Sequence, residues 1–354
     1  MRLLAILAAG AAMFPYSPSS EPTLAERAAC DAAIAAGYYD EALREQCYDD
    51  YRDSIQSLER GRPVAFVSTA SASAQQWALQ PAPILTATMP WERAAVFEPT
   101  VLYDGGVFRM WYSGGWDQCA TGYATSTDGL HWAKYAGNPV LPAVACRNTI
   151  VRVARGYRIF YSDGIGAARD RIWTRESRDG IHFGPPVLAL EPPAWASALA
   201  NTYVWEESGR WRMLFEGRVG ETWQMGYADG DSPVTFGHVR RIPELDIGGH
   251  YGGAWVAPCN GGSCVYFHGG ATGVLPSDIY VSETRDFRTF TRPTLVLGRT
   301  LPWQVDQVAD PSVVSLEDRD LMFYDADDNP NARAVIGVAS LPAQPWPCGR
   351  ARAC

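Results

Sequence analysis

Lysine is almost missing from this 354-residue chain: Lys134 stands alone, and every other basic residue is arginine. The 30 basic residues face 39 acidic ones, so the net charge is near −9. No basic run interrupts that balance, which argues against nucleic acid or an anionic membrane surface as the partner. No apolar stretch reaches the ~18–20 residues needed to cross a bilayer. No paired Cys-x-x-Cys or Cys/His cluster suggests a metal centre. Disorder is excluded in turn, because 47% of the residues are hydrophobic and 19% charged, enough apolar surface to offset chain entropy. What the chain has in quantity is glycine, proline and tryptophan, the composition of an extracytoplasmic globular protein. Its length allows two domains or one large all-β unit.

The first 20 residues read as a signal peptide, with Arg2 as the charged region before the apolar run 3–14; the competing reading is a buried N-terminal helix. Residues 21–62 are expected to form a helical hairpin arm, with helices over 22–36 and 40–58 joined at Gly37. Such an arm is too small to hold itself by burial, and a Cys30–Cys47 bridge would staple it. Eight cysteines fit an oxidising compartment. Neighbours are expected to pair: Cys30–Cys47, Cys119–Cys146, Cys259–Cys264 across a Gly-Gly turn, and Cys348–Cys354. Together these readings place the protein in a secreted or periplasmic setting.

Beyond residue 63 the chain repeats about every 50 residues, the scale of a propeller blade. A short strand such as Glu98-Pro99-Thr100-Val101-Leu102 turns into an aromatic-rich one such as Phe108-Arg109-Met110-Trp111-Tyr112-Ser113-Gly114. A third strand, Gly122-Tyr123-Ala124-Thr125-Ser126, precedes an Asp-Gly turn and a fourth strand. Period-two alternation between Asp-Gly and Gly-Gly turns is a strand and hairpin signal. Five such units over 63–354 predict an all-β, five-bladed propeller with four antiparallel strands per blade. The fifth unit lacks its fourth strand, and residues 77–85 read like the fourth strand of the first unit. They are therefore expected to close the ring.

These repeats resemble the five-bladed glycoside hydrolase superfamily, which holds the arabinanases and xylosidases of family 43 together with invertases and levansucrases. The resemblance covers roughly 65–345 and lies mostly in structural repeat residues. It implies glycosidic cleavage by an Asp, an Asp and a Glu on the first three blades. The aligned positions here read Glu98, Asn148 and Asn201, so that triad does not carry over, whereas Asp310-Pro311 matches the Asp-Pro form of the family's opening motif in the fifth blade.

Aligning the blades predicts two rings around the axis. Residues opening the first strands give Glu98, Asn148, Asn201, Gly253 and Asp310. Residues ending the second strands give Ser113, Ser162, Glu216, His268 and Asp325. Polar rings on an axis suit a wet substrate funnel better than a core. Glycosidic cleavage needs a proton donor and a second carboxylate. Asp310 is expected to be the base or nucleophile, Glu216 the acid, and Glu98 a tuning residue or alternative acid. Asn148, Asn201, Arg147, His268 and Asp325 are expected to bind substrate, with Trp91, Trp116 and Trp303 stacking on the sugar; Trp195 and Tyr251 fall beside the same loops.

The bland alternatives are amide caps and ion pairs of Glu98 and Asp310 with Arg147 or Arg152, a structural His268, and tryptophans that pack their own loops. No cofactor is implied, although Asp325-Ala326-Asp327-Asp328-Asn329 resembles a calcium-binding loop in composition. The leading function is a glycoside hydrolase or transglycosylase acting on a poly- or oligosaccharide. A non-catalytic, lectin-like propeller is the runner-up, and an interaction scaffold with the arm as docking element comes third. The carbohydrate is the only partner implied, and the sequence leaves the oligomeric state open.

Overall fold

In the computed structural model the described residues are 77–342, apart from 117–118, 143–144, 164–170, 260–261, 271–274 and 329–332, together with Arg27. The signal peptide, the helical arm with Cys30–Cys47, and the Cys348–Cys354 pair lie outside them. Within 77–342 the named elements are strands, apart from two short 3-10 turns, Pro90–Glu92 and Pro243–Leu245.

Five four-stranded antiparallel sheets form the blades. The first is β2 (Val96–Asp104), β3 (Val107–Gly114), β4 (Ala120–Ser126) and β5 (Ala133–Lys134), and the second is β6 (Cys146–Val153), β7 (Gly156–Ser162), β8 (Ile172–Ser177) and β9 (Val187–Leu190). The third holds β10 (Leu199–Glu207), β11 (Arg210–Val219), β12 (Thr222–Ser232) and β13 (Thr235–Arg241). The fourth holds β14 (His250–Cys259), β15 (Gly262–Gly270), β16 (Asp278–Thr284) and β17 (Thr294–Leu297). The fifth is built from β18 (Gln307–Ser315), β19 (Arg319–Asp328), β20 (Arg333–Pro342) and, from the other end of the described chain, β1 (Ala78–Leu79). Ala78 pairs with Ser340 and Leu79 with Ala339, so the leading segment closes the ring as its sequence match implied. β1 covers the outer edge of β20, which would otherwise be open to another chain.

The core lies between blades. Val101 and Met110 of the first blade pack with Val314, Phe323 and Val338 of the fifth, and each of the five interfaces repeats this layering. Burying each large side chain contributes ~1.5–3 kcal/mol, which is why the second strands carry consecutive buried apolar residues, such as Met110-Trp111-Tyr112 and Met322-Phe323-Tyr324, on both faces. Three tryptophans reinforce the layers. Trp91, Trp195 and Trp303 lie on Tyr112, Phe215 and Tyr324, each filling the gap over a glycine, namely Gly114, Gly217 and Gly337. Two disulfides join close neighbours as expected: Cys259–Cys264 across the β14–β15 hairpin, and Cys119–Cys146 between the first two blades.

The turns after the third strands close the lower face. Asp128 accepts hydrogen bonds from the amides of Leu130 and His131 at 2.8 Å each, while the Ser126 hydroxyl accepts from Gly129. Asp179 repeats the device in the second blade and Asp286 in the fourth. The turn residue has positive φ in all three, with Phe287 standing where the first two use Gly129 and Gly180.

Candidate active site

The inner strand of every blade carries a bulge at one register. Pairing with the second strand slips between Phe97 and Thr100, Cys146 and Thr149, Ala200 and Tyr203, Gly252 and Trp255, and Ala309 and Ser312. The residue opening each bulge is left-handed: Glu98 (φ 51°), Arg147 (52°), Asn201 (37°), Gly253 (53°) and Asp310 (49°). A bulge supplies one extra residue and re-aims its side chain, here toward the axis. Glycine takes this conformation freely, whereas any other residue costs of order 1–3 kcal/mol and persists where its surroundings hold it. Four of five blades carry that cost.

This register corrects the first ring. Arg147, not Asn148, is equivalent to Glu98 and Asp310; Asn148 aligns with Pro99, Thr202 and Pro311 and lines the axial cavity one step below. The sequence alignment slipped by one because the bulge is invisible in residue types. The second ring stands as read: Ser113, Ser162, Glu216, His268 and Asp325 each pair with the residue just before a bulge, and all are buried.

The two rings meet in one hydrogen-bonded cluster. The Asn201 side-chain nitrogen donates to Glu216 Oε1 and to Asp310 Oδ1, at 3.0 Å each. His268 sets Nε2 3.6 Å from Glu216 Oε1 and Nδ1 3.4 Å from Asp310 Oδ1. The Glu98 amide donates to Asp325 Oδ1 at 3.0 Å, and Gln307 donates to the other oxygen of Asp325 at the same distance. Arg147 holds Glu98 twice, through its amide at 2.9 Å and its Nε at 3.5 Å, and its guanidinium lies 5.1 Å over the Trp223 ring. The Cys119–Cys146 bridge anchors the residue before it. Arg152, the other partner offered for the acids, pairs instead with Asp104 on the lower side of the first blade.

Gly252 and Gly253 make room for the cluster. A Cβ on Gly252 would lie 2.2 Å from Glu216 Oε1, and one on Gly253 would lie 2.2 Å from Asp310 Oδ1 and 2.3 Å from His268 Nδ1.

Burial, and then the charge of Asp310, pushes the Glu98 carboxyl up to about 8 although Arg147 opposes it. Asp325 is pushed well above the carboxylate range by burial, by Asp310 and by Glu98. Burial also raises Glu216, against the pull of His268. Asp310 goes the other way: burial works against its charge, but His268 and the hydrogen bonds from His268 and Asp325 outweigh it. It is also the most accessible of these acids, with 15% of its side chain exposed against 10% for Glu98 and 2% for Glu216. The arrangement pairs one reachable, ionised carboxylate with a neighbour that keeps its proton, the division of labour that acid–base cleavage uses.

The axis is narrow at the bulges. A cavity of about 30 Å³, lined by Glu98, Arg147, Asn201, Gly253 and Asp310 and one step further down by Thr100, Thr149 and Thr202, has room for a water or two and none for a sugar ring. None of Trp91, Trp116 and Trp303 lines that cavity. Trp91 and Trp303 pack between strands as described, Trp195 does the same, and Tyr251 is fully buried. Trp116 stacks on Phe97, centroids 4.3 Å apart, beside Glu98. Three contributors escaped the sequence reading: Trp223 under Arg147, Gln307 on Asp325, and His250, whose Nε2 lies 2.8 Å from that of His268. Each sits outside the two aligned registers, so no repeat position marked it. The acidic run forms no loop, because 325–328 belong to β19 and pair with β20. Among the described residues, Glu216, His250 and His268 bring one donor atom each within 4.8 Å of one another and can hold a metal ion.

No protein-family model matches the chain. Two uncharacterized proteins from strains of Mycobacterium tuberculosis are each 29% identical over 171 residues, which is 43% of this chain and 55% of theirs. The chain thus spans about half the length of the curated relatives it matches. Solved structures match over far more of it. An N-acetylgalactosamine deacetylase from F. plautii in complex with blood group B trisaccharide has 16% identity, a TM-score of 0.60, and coverage of 76% of this chain and 96% of that one. A β-1,2-mannobiose phosphorylase from Listeria innocua has 12% identity and a TM-score of 0.59 over 75% and 96%. The catalytic domain of a GH62 α-L-arabinofuranosidase from Coprinopsis cinerea has 11% identity and a TM-score of 0.59 over 77% and 99%. At such identities the likeness is one of fold alone, that of a five-bladed propeller.

Proposed function

We propose that the protein is a secreted or periplasmic glycoside hydrolase that cleaves an O-glycosidic bond of a poly- or oligosaccharide at the bulge ring. The observation that carries the reading is the strained register itself: Glu98, Arg147, Asn201 and Asp310 occupy a backbone conformation that suits glycine, and glycine fills the fifth copy. Strain of this kind gathers where chemistry requires a particular side chain in a particular place.

Asp310, ionised and the most reachable acid, acts as base or nucleophile. Glu98, protonated up to about pH 8 and braced by Arg147, donates the proton to the departing oxygen. The sequence order suggested Glu216 for that task, but Glu216 lies deeper, beneath Asn201, and is better suited to holding His268 and Asn201 in position. Trp116 and Trp223 flank the mouth as stacking surfaces for the sugar. Water is the acceptor: the one guanidinium of the ring, Arg147, is already engaged by Glu98 and makes a poor phosphate seat. The two disulfides and the apolar leader over 3–14 support an oxidising, extracytoplasmic setting.

The test is a screen of the purified protein on arabinans, fructans, xylans, galactans and β-mannosides, each with and without phosphate. Phosphate-independent release of reducing sugar from one class is expected. Inactivity on all of them, together with retention on a glycan array, would favour the lectin instead.

A further inference from the structure

We infer that Glu216, His250 and His268 form a site for one divalent first-row transition-metal ion, seated on the axis behind Asp310. Three elements deliver the donors: Glu216 comes from β11, His250 opens β14, and His268 lies near the end of β15. All three side chains are buried, and their donor atoms converge within 4.8 Å. The two imidazole Nε2 atoms face each other at 2.8 Å. Two nitrogens that close, each bonded at ~2.1 Å to a shared ion, subtend roughly a right angle, the cis angle of a six-coordinate site that leaves open positions.

Two further features support a ligand role. Asp310 fixes the His268 ring through its other nitrogen: the Asp310 amide donates to Nδ1 at 3.2 Å, and Oδ1 stands 3.4 Å from the same atom, which leaves Nε2 facing His250 and Glu216. The surrounding charge is also lopsided. Glu98, Glu216, Asp310 and Asp325 meet in one hydrogen-bonded cluster with Arg147, so a dication bound there has carboxylates close by. The glycine pair 252–253, whose missing Cβ atoms leave space for Glu216 and His268, keeps the donors in place. Two imidazoles and one carboxylate select ions such as Zn²⁺, Co²⁺ or Mn²⁺ over Ca²⁺, which takes oxygen ligands. The inference stands apart from the sugar reading, since it concerns only what these three side chains hold.

The experiment uses the untagged full chain, stripped with a chelator and titrated with Co²⁺ and, in parallel, with Ca²⁺. One equivalent of Co²⁺ per chain is expected, with the visible absorption of an imidazole-bound ion that Zn²⁺ then displaces. His250→Asn and Glu216→Gln should each weaken binding by about 10²-fold or more. Asp310→Asn, which touches His268 directly and Glu216 through Asn201, should weaken it by ~10–100-fold. His182→Asn, on an exposed lower turn, should leave it unchanged. Uptake well below one equivalent by the wild type would overturn the site, and so would unchanged affinity in the His250→Asn/Glu216→Gln double variant. Should a variant fail to fold, the wild-type comparison still decides: an equal response to Ca²⁺ and Co²⁺ overturns it.

Discussion

The two ends of the propeller use the same acidic side chain to opposite effect. On the lower face Asp128, Asp179 and Asp286 each turn back onto amides two and three residues ahead, stay exposed, and hold their carboxyls below the usual range. For Asp128 and Asp286 the leading cause is the backbone hydrogen bond to residue i+3; for Asp179 a modest burial cost is outweighed by His182 and by the same amides. At the upper face Glu98, Asp310 and Asp325 find their partners across the ring, up to 227 residues away, and burial drives two of the three upward. An acid satisfied by its own turn is architecture, because the local chain determines it. An acid that only the closed ring can satisfy, held in a strained conformation, is where the fold has spent stability on chemistry.

Several substitutions should sharpen or break this contrast. The largest effect belongs to Asp310→Asn, which should lower turnover of the cleaved glycoside by about 10³–10⁴-fold with an unchanged melting profile. Glu98→Gln should lose about 10²–10³-fold and alter the pH profile. In the wild type Glu98 is protonated below about 8, so activity should hold to that point and fall as pH rises through it; the variant should lose that alkaline limb. Stability follows the same sign. A carboxyl whose folded pKa is raised from 4.5 to about 8 favours the folded state below 4.5 and loses that contribution as pH climbs to 8, so Glu98→Gln should flatten this part of a pH–stability curve.

Asn201→Gly should be active only weakly and change stability by less than ~1 kcal/mol in urea unfolding, because glycine relieves the left-handed strain while Glu216 and Asp310 each lose a hydrogen bond. The smallest effect should come from the lower face: Asp128→Ala or Asp179→Ala should cost ~1 kcal/mol, as the loss of a comparable amide cap does, and leave kcat/KM unaltered. An Asp128→Ala variant that lost activity as severely as Asp310→Asn would erase the distinction between the ends.

Much of the fold was legible in the sequence because its determinants are local and repeated. The aromatic second strands, the Asp-Gly turns and the match of 77–85 to a fourth strand state the blade, the count and the closure. The lower turn of the fourth blade escaped because Phe287 replaces the glycine, although Asp286 and Thr289 keep the hydrogen bonds. The site was legible as two rings but not in detail. Arg147 was displaced from its place by one residue, since a bulge shifts register without changing residue type. His250 and Trp223 lie off the repeat positions, and only coordinates bring them to the axis. The tryptophans misled for a related reason: a ring near a loop can cover a glycine or a sugar, and Trp91, Trp195 and Trp303 show the first use three times over.

The most direct measurement is a crystal structure of the Glu98→Gln variant with its glycoside bound. The account predicts a sugar ring above the bulges, flanked by Trp116 and Trp223, with its anomeric carbon about 3–3.5 Å from an Asp310 carboxylate oxygen. A sugar held on the lower face or between blades, with Asp310 out of its reach, would contradict it.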